Sequence, residues 1–144
     1  MYKKTPDERL SEWAELRKEL PTLDDPLTSV IEFWADFRTI IHNHNVNPHH
    51  PADWPTPWEI IYENKYDDFT IALMMAYTLK LSESFKNSKV EVRTMVDSAQ
   101  TRLYNLVYVD DNDVLNYESS RAVKAHELNN SLYLENLVEV VFPR

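Results

Sequence analysis

Apolar residues near the start of the chain recur at the spacing of a helix. The first stripe comprises Leu10, Trp13, Leu16 and Leu20. The pair Thr5-Pro6 is typical of a helix start, and Pro21 would end this helix. A stronger stripe follows Asp25-Pro26 and comprises Leu27, Val30, Ile31, Trp34, Phe37, Ile40 and Ile41. The pattern predicts two consecutive amphipathic helices.

Two further helices are predicted after a break in this pattern. Residues 42–55 contain Asn, His and three Pro, which predicts a loop. Thr56-Pro57-Trp58-Glu59 has the form of a capping box and predicts a short helix. From about Asp67 to Phe85 apolar residues lie nearly all round the first three helical turns. This central helix is therefore predicted to be buried.

The period of the pattern changes from helix to strand near residue 90. Apolar and polar residues alternate over 90–96, and Leu103–Val109 forms a second, more apolar run. A turn at 110–113 leads to a short strand over 114–117, and a polar stretch that could be helical covers 119–129. Leu137 to Phe142 is predicted to be the fourth strand.

This order of elements predicts one α+β domain over residues 1–144. Its helical part covers about residues 1–86, and its sheet part covers about 87–144. Short connections between the strands favour an antiparallel sheet, because parallel strands need long crossovers. We therefore expect N-terminal helices packed on a C-terminal antiparallel sheet of about four strands.

The chain contains no glycine and no cysteine. Without glycine it cannot form the phosphate-cradling loops of nucleotide-binding proteins. Without cysteine, disulfides, thiolate catalysis and cysteine-ligated zinc are excluded. Asn is the best substitute for glycine in left-handed backbone conformations, and we expect it at the chain's turns: Asn43 to Asn47, Asn87, Asn112, Asn129 and Asn130.

The net charge of the chain indicates which classes of molecule it can bind. The formal net charge is −9, which repels nucleic acid because affinity for phosphate comes from Lys and Arg. No apolar run approaches the length of a membrane span. The sequence thus favours a protein partner, with direct nucleic-acid and membrane binding not expected. An acidic DNA mimic that inhibits a DNA-binding protein remains an alternative.

Residues 66–117 resemble the core of transglutaminase-like domains. The resemblance depends on Asp68-Phe69-Thr70 at a helix start and on the later run Tyr104-Asn105-Leu106-Val107-Tyr108-Val109-Asp110. It would place the nucleophile at Tyr66, the catalytic histidine near Arg102 and the aspartate within 116–118. Neither a phenol nor a guanidinium can perform those roles near neutral pH. The resemblance therefore implies a catalytically degenerate core without catalytic residues.

The whole sequence also resembles those of small uncharacterised proteins of tailed phages that infect marine cyanobacteria. The segments behind this resemblance are Trp-Pro-Thr-Pro-Trp-Glu-Ile-Ile at 54–61 and Glu-Asn-Lys-Tyr-Asp-Asp-Phe-Thr at 63–70. It implies a viral protein located in the host cytoplasm or the virion, and it assigns no activity.

Two groups of residues are candidates for a site. The first group consists of aromatic residues near the third helix: Trp54, Trp58, Tyr62 and Tyr66. They could contact a partner, since such rings are enriched at interfaces, but packing in the core explains them as well. Histidines crowd beside a carboxylate in the preceding loop: His42, His44, His49, His50 and Asp53. These residue types could bind zinc, nickel or copper, although we favour an incidental surface loop.

The function that the sequence favours is a non-enzymatic structural or protein-interaction protein of a phage. It would be a virion assembly component or a host-protein binder, and homo-oligomerisation is compatible with it. No cofactor is expected. The alternative enzyme is a metal-dependent hydrolase that uses the His42–Asp53 loop.

Overall fold

Helices occupy the first half of the chain and strands the second. The structure, a computed structural model, describes residues 4–35, 37 and 46–141. Its helices are α1 (Pro6–Glu19), α2 (Pro26–Ala35), α3 (Pro57–Glu63) and α4 (Asp68–Lys80). Its strands are β1 (Val90–Asp97), β2 (Arg102–Val109), β3 (Asp113–Leu115), β4 (Val123–Lys124) and β5 (Leu132–Val140). The predicted α+β fold is confirmed.

The sheet has five strands in the order β4-β3-β2-β1-β5, and every pairing is antiparallel. The predicted number of about four strands is therefore corrected. The additional strand, β4, lies in the polar stretch that we expected could be helical, and only a 3-10 turn over Ala125–Glu127 follows it. Two residues are too few to show an alternating pattern, so pairing with β3 defines this strand.

Two predicted boundaries also differ from the structure. The helix α4 ends at Lys80 instead of Phe85, and β5 begins at Leu132 instead of Leu137. The sequence pattern did not predict the start of β5. The first residues of this strand do not alternate between buried and exposed positions, as a half-buried strand usually does. The predicted extension of the second helix to Ile41 lies outside the described residues, apart from Phe37.

Local side-chain chemistry fixes the helix starts. The predicted capping box forms between Thr56 and Glu59, and the predicted helix start at Thr5 also has a capping box, with Glu8. The positive backbone φ angles fall on Asn64, Thr101, Asp110, Asp111 and Asn116 within the described residues. Asn takes this conformation at positions 64 and 116 but not at Asn47, Asn87, Asn112, Asn129 or Asn130, and the expected Asn43 and Asn45 lie outside the described residues.

The helix α4 is the centre of the core. All of its residues from Phe69 to Leu79 are buried, because α1 and α2 cover one side and the sheet covers the other. The sheet residues in this main core are Val90, Val92, Val107, Val109, Leu115 and Val140. A second cluster on the opposite face comprises Tyr104, Leu106, Tyr108, Val114 and Val123. No helix within the described ranges combines the length and the apolar character that spanning a bilayer requires.

Candidate functional site

The strand β5 forms one edge of the sheet and is rich in exposed apolar side chains. Its inner edge pairs with β1, and no other described strand pairs with its outer edge. Tyr133, Leu134 and Leu137 are 54%, 50% and 41% exposed, and Val141 directly after the strand is 62% exposed. Soluble proteins usually protect a free edge with Lys, Pro or a covering segment. This edge has neither Lys nor Pro, so it is the chain's strongest candidate for a contact surface.

One hollow lies beside the middle of β5, on the face that carries α4. Its volume is about 390 Å³. The residues that line it come from the segment 46–49, the start of α4 and three strands: Val46, Pro48, His49, Asp67, Asp68, Phe69, Thr94, Leu103, Asn105, Glu135 and Asn136. Three of them carry carboxylates and none is Lys or Arg. Most of its remaining lining surface is apolar, and we call it the acidic hollow because of these carboxylates.

Hydrogen bonds orient the polar groups of the acidic hollow. The Asp67 carboxylate accepts hydrogen bonds from the backbone N–H and the hydroxyl of Thr70, both at 2.7 Å, and so caps α4. The Thr94 hydroxyl donates to Oδ1 of Asn105 at 2.9 Å. By contrast, Nδ2 of Asn136 is buried and has no hydrogen-bond partner in the described part of the chain. A buried amide donor without a hydrogen-bond partner is costly to the folded state.

The second hollow lies further along β5 and is mainly apolar. Its volume is about 350 Å³. One wall is the segment 51–56, the other is the end of β5, and Tyr77 of α4 lies between them: Pro51, Ala52, Trp54, Pro55, Thr56, Tyr77, Val138, Glu139, Val140 and Val141. Apolar groups make up most of this lining, as they do in the first hollow, and Glu139 is the one carboxylate among these lining residues. An aliphatic side chain suits such a lining, and we call it the apolar hollow.

Trp54 holds the outer wall of both hollows in place. Its indole N–H donates to the backbone oxygen of Asn47 at 2.6 Å. Its ring meets the Phe69 ring edge to face, with 5.8 Å between the centroids. These contacts fix the segment 46–56 against α4, so the groove between this segment and β5 is pre-formed.

Asp97 fixes the start of β5. The Ser131 hydroxyl donates to its carboxylate at 2.6 Å, and the backbone N–H groups of Ala99 and Gln100 donate at 2.9 and 3.3 Å. The Ser131 bond, reinforced by the two backbone bonds, lowers the pKa of Asp97 below its ordinary value. The side chain thereby joins the β1–β2 turn to the segment that leads into β5.

The stability that Asp97 contributes should depend on pH. Because its pKa is lower in the folded state, the contribution is complete above the unfolded pKa of about 3.9 and is lost as pH falls through the folded pKa. We expect wild type to be more stable than Asp97→Asn at pH 7 and the difference to shrink below about pH 4. Urea unfolding of both proteins between pH 3 and 7 measures this, and a difference that is constant with pH would contradict it.

The four aromatic interaction candidates differ in their exposure to solvent. Trp58 and Tyr62 are exposed on α3, and Trp54 is half-buried in the groove wall. Tyr66 is fully buried, with its ring 4.7 Å from that of Phe37. It therefore belongs to the core and presents no surface to a partner.

The histidine loop is described only in part. His42 and His44 lie outside the described residues, while His49, His50 and Asp53 are exposed. Within residues 4–35, 37 and 46–141, no three His, Asp or Glu side chains are grouped so as to hold a metal ion. His49 does line the acidic hollow, which places it beside Asp67 and Asp68.

The nucleophile and histidine positions assigned by the transglutaminase-like resemblance lie on opposite faces of the sheet. Tyr66 packs in the main core on the α4 side of the sheet. The Arg102 guanidinium instead lies 4.4 Å from the ring centre of Tyr104, in the cluster on the opposite face. Burial also raises the pKa of the Tyr66 hydroxyl, and the positive charge of Arg9 offsets only part of that rise. Tyr66 therefore stays protonated at neutral pH and cannot act as a nucleophile.

Comparisons of this chain with protein-family models, with curated proteins and with solved structures found no match.

Reasoning from the sequence missed the edge strand as a candidate site. The alternating run at 137–142 indicated a strand, but the position of a strand in the sheet depends on long-range pairing. Leucine and tyrosine at 132–134 are compatible with a central strand as well as an edge. A signal was nevertheless present, because the segment 132–141 contains Glu but no Lys or Arg.

Proposed function

We propose that this protein is a non-enzymatic protein-interaction module that binds its partner by strand addition at β5. The observation that carries the proposal is the nine-residue edge strand with exposed Tyr133, Leu134 and Leu137. An added strand would satisfy the free backbone groups of this edge and bury its apolar side chains. The pre-formed groove beside β5 supports the same function.

The proposal agrees with the viral interaction protein that the sequence suggests. A virion subunit and a host protein are both compatible as the partner, in the virion or in the host cytoplasm. The metal-dependent hydrolase and the acidic DNA mimic stay predictions from the sequence, since no described contact specifically favours either.

Selection from a displayed library of random peptides tests this function. We expect enriched peptides to bind the intact protein and to slow amide hydrogen exchange over residues 132–140, because strand pairing protects backbone N–H groups. The double variant Leu134→Ser with Leu137→Ser should weaken binding by about tenfold or more, since it removes apolar contact area.

Tyr62→Ser is the matched control for these variants. Tyr62 is 61% exposed and lies on α3, so its replacement removes a similar exposed side chain away from β5. Its affinity for the enriched peptides should match wild type. Enrichment of no peptide, or loss of binding in Tyr62→Ser with full binding in the β5 variant, would overturn the proposal.

A further inference from the structure

The two hollows are spaced to receive side chains from one extended chain. Asn136, Val138 and Val140 of β5 pair with Thr94, Val92 and Val90 of β1. Val90 and Val92 belong to the core around α4, so these β5 residues face the same side of the sheet. Asn136 borders the acidic hollow and Val140 borders the apolar one. Four residues of strand separate them by about 13 Å.

A strand added to β5 would direct alternate side chains toward the hollows. Residues opposite Asn136 and Val140 lie four positions apart in the added chain and point to the α4 face. All pairings in this sheet are antiparallel. In an added antiparallel strand, the residue at the apolar hollow would come first and the residue at the acidic hollow four positions later.

The charge of the first hollow selects a cationic side chain. Asp68 and Glu135 are exposed at this hollow, whereas Asp67 also lines it but is buried and caps α4. A Lys or Arg side chain inserted there would form ion pairs that are partly shielded from water.

Charge also argues against a second copy of this chain at β5. Each copy has a formal net charge of −9, and the ionisable side chains of β5 are Glu135 and Glu139 together with Tyr133. Symmetric pairing of two β5 strands would bring four glutamates to one seam, and like charges across strands are destabilising. The complementary occupant is a basic segment of another protein.

We infer that the ligand of β5 is an extended basic segment of a different protein, with an aliphatic residue followed four positions later by Lys or Arg. The aliphatic side chain fills the apolar hollow beside Val140, and the cation fills the acidic hollow beside Glu135. This inference rests on the proposed strand addition and specifies the chemistry of the partner.

Fluorescence anisotropy with synthetic peptides tests this inference. The probe is a fluorescein-labelled nine-residue peptide of Thr and Ser, with leucine at its third position and arginine at its seventh. Two comparison peptides carry glutamate at the seventh position, or arginine at the sixth, where it would point to the opposite face. We expect both to bind at least about tenfold more weakly than the probe.

Charge reversal in the protein provides the matched variants. Glu135→Lys places a positive charge at the acidic hollow, whereas Glu32→Lys makes the same change on the exposed face of α2, away from β5. The probe should bind Glu135→Lys about tenfold more weakly and Glu32→Lys within about twofold of wild type. Equal weakening in both variants would indicate attraction by net charge alone and would overturn the inference.

Other outcomes separate failure of this inference from failure of the proposed function. Library peptides that protect residues 132–140 but lack the aliphatic-basic pair would overturn the inference while strand addition stands. Light scattering that shows a dimer, lost in Leu134→Ser with Leu137→Ser, would make a second copy the occupant and also overturn it. Enriched peptides that leave hydrogen exchange at 132–140 unchanged would overturn both.

Discussion

Replacing Thr78 with valine should lower the free energy of unfolding by about 2–5 kcal/mol. The fully buried indole N–H groups of Trp13 and Trp34 both donate to the Thr78 hydroxyl, at 2.8 and 3.1 Å. Valine has the same shape but no oxygen, so both donors would be left buried and unsatisfied. Each such group costs about 1–3 kcal/mol. The melting temperature should fall by roughly 6–15 °C.

Thr78→Ser is the control for this prediction. Serine keeps the hydroxyl, which also donates to the backbone oxygen of Met74 at 2.6 Å, and loses only a methyl group. This substitution should lower the free energy of unfolding by about 1 kcal/mol. Urea unfolding followed by tryptophan fluorescence compares the three proteins. Equal stability of the serine and valine variants would show that the two indole N–H groups do not depend on this hydroxyl.

Replacing Arg9 with methionine should lower the free energy of unfolding by about 2–3 kcal/mol. Arg9 is buried, and its guanidinium donates to the backbone oxygens of Ile61 at 3.1 Å and Tyr62 at 2.9 Å. These carbonyls belong to the last turn of α3, where helical partners are missing and a positive charge is favourable. A third donation, to the backbone oxygen of Lys4, fixes the start of α1.

Arg9→Lys separates the charge from the hydrogen-bonding geometry. Lysine keeps the positive charge but cannot donate to three carbonyls from one planar group. We expect a stability between those of wild type and Arg9→Met in thermal and urea unfolding. Hydrogen exchange should also become faster at the end of α3 in both variants. A methionine variant as stable as wild type would contradict this role for Arg9.

Much of the fold follows from local signals in the sequence. The Thr5 and Thr56 capping boxes set where two helices begin, since the hydroxyl and the Glu three residues later satisfy free N–H groups at the start of each helix. The apolar run after Asp67 predicted a buried central helix, because no polar face was left for water. These features involve residues within one turn of each other, so they are visible without knowledge of the fold.

The candidate site could not be predicted in the same way. Glu135 and Asp68 are 67 positions apart in the chain, and only the pairing of β5 with β1 brings both to one hollow. Similarly, the sequence shows Tyr66 and Tyr62 as equivalent aromatic residues near α3. Packing against Trp34 and Phe37 buries Tyr66, whereas Tyr62 stays at the surface.

The order of helices and strands, the acidic charge and the absence of phosphate-binding loops and cysteine chemistry all follow from the amino-acid sequence alone. Each depends on composition or on neighbours along the chain. By contrast, the position of the last strand at the edge of the sheet, paired with β1, is visible only in the folded protein. The position of β5 in the sheet depends on the summed energy of contacts between residues that are distant in the sequence. It leaves the apolar side chains of β5 exposed, and it is therefore the reason that this edge is the proposed binding surface.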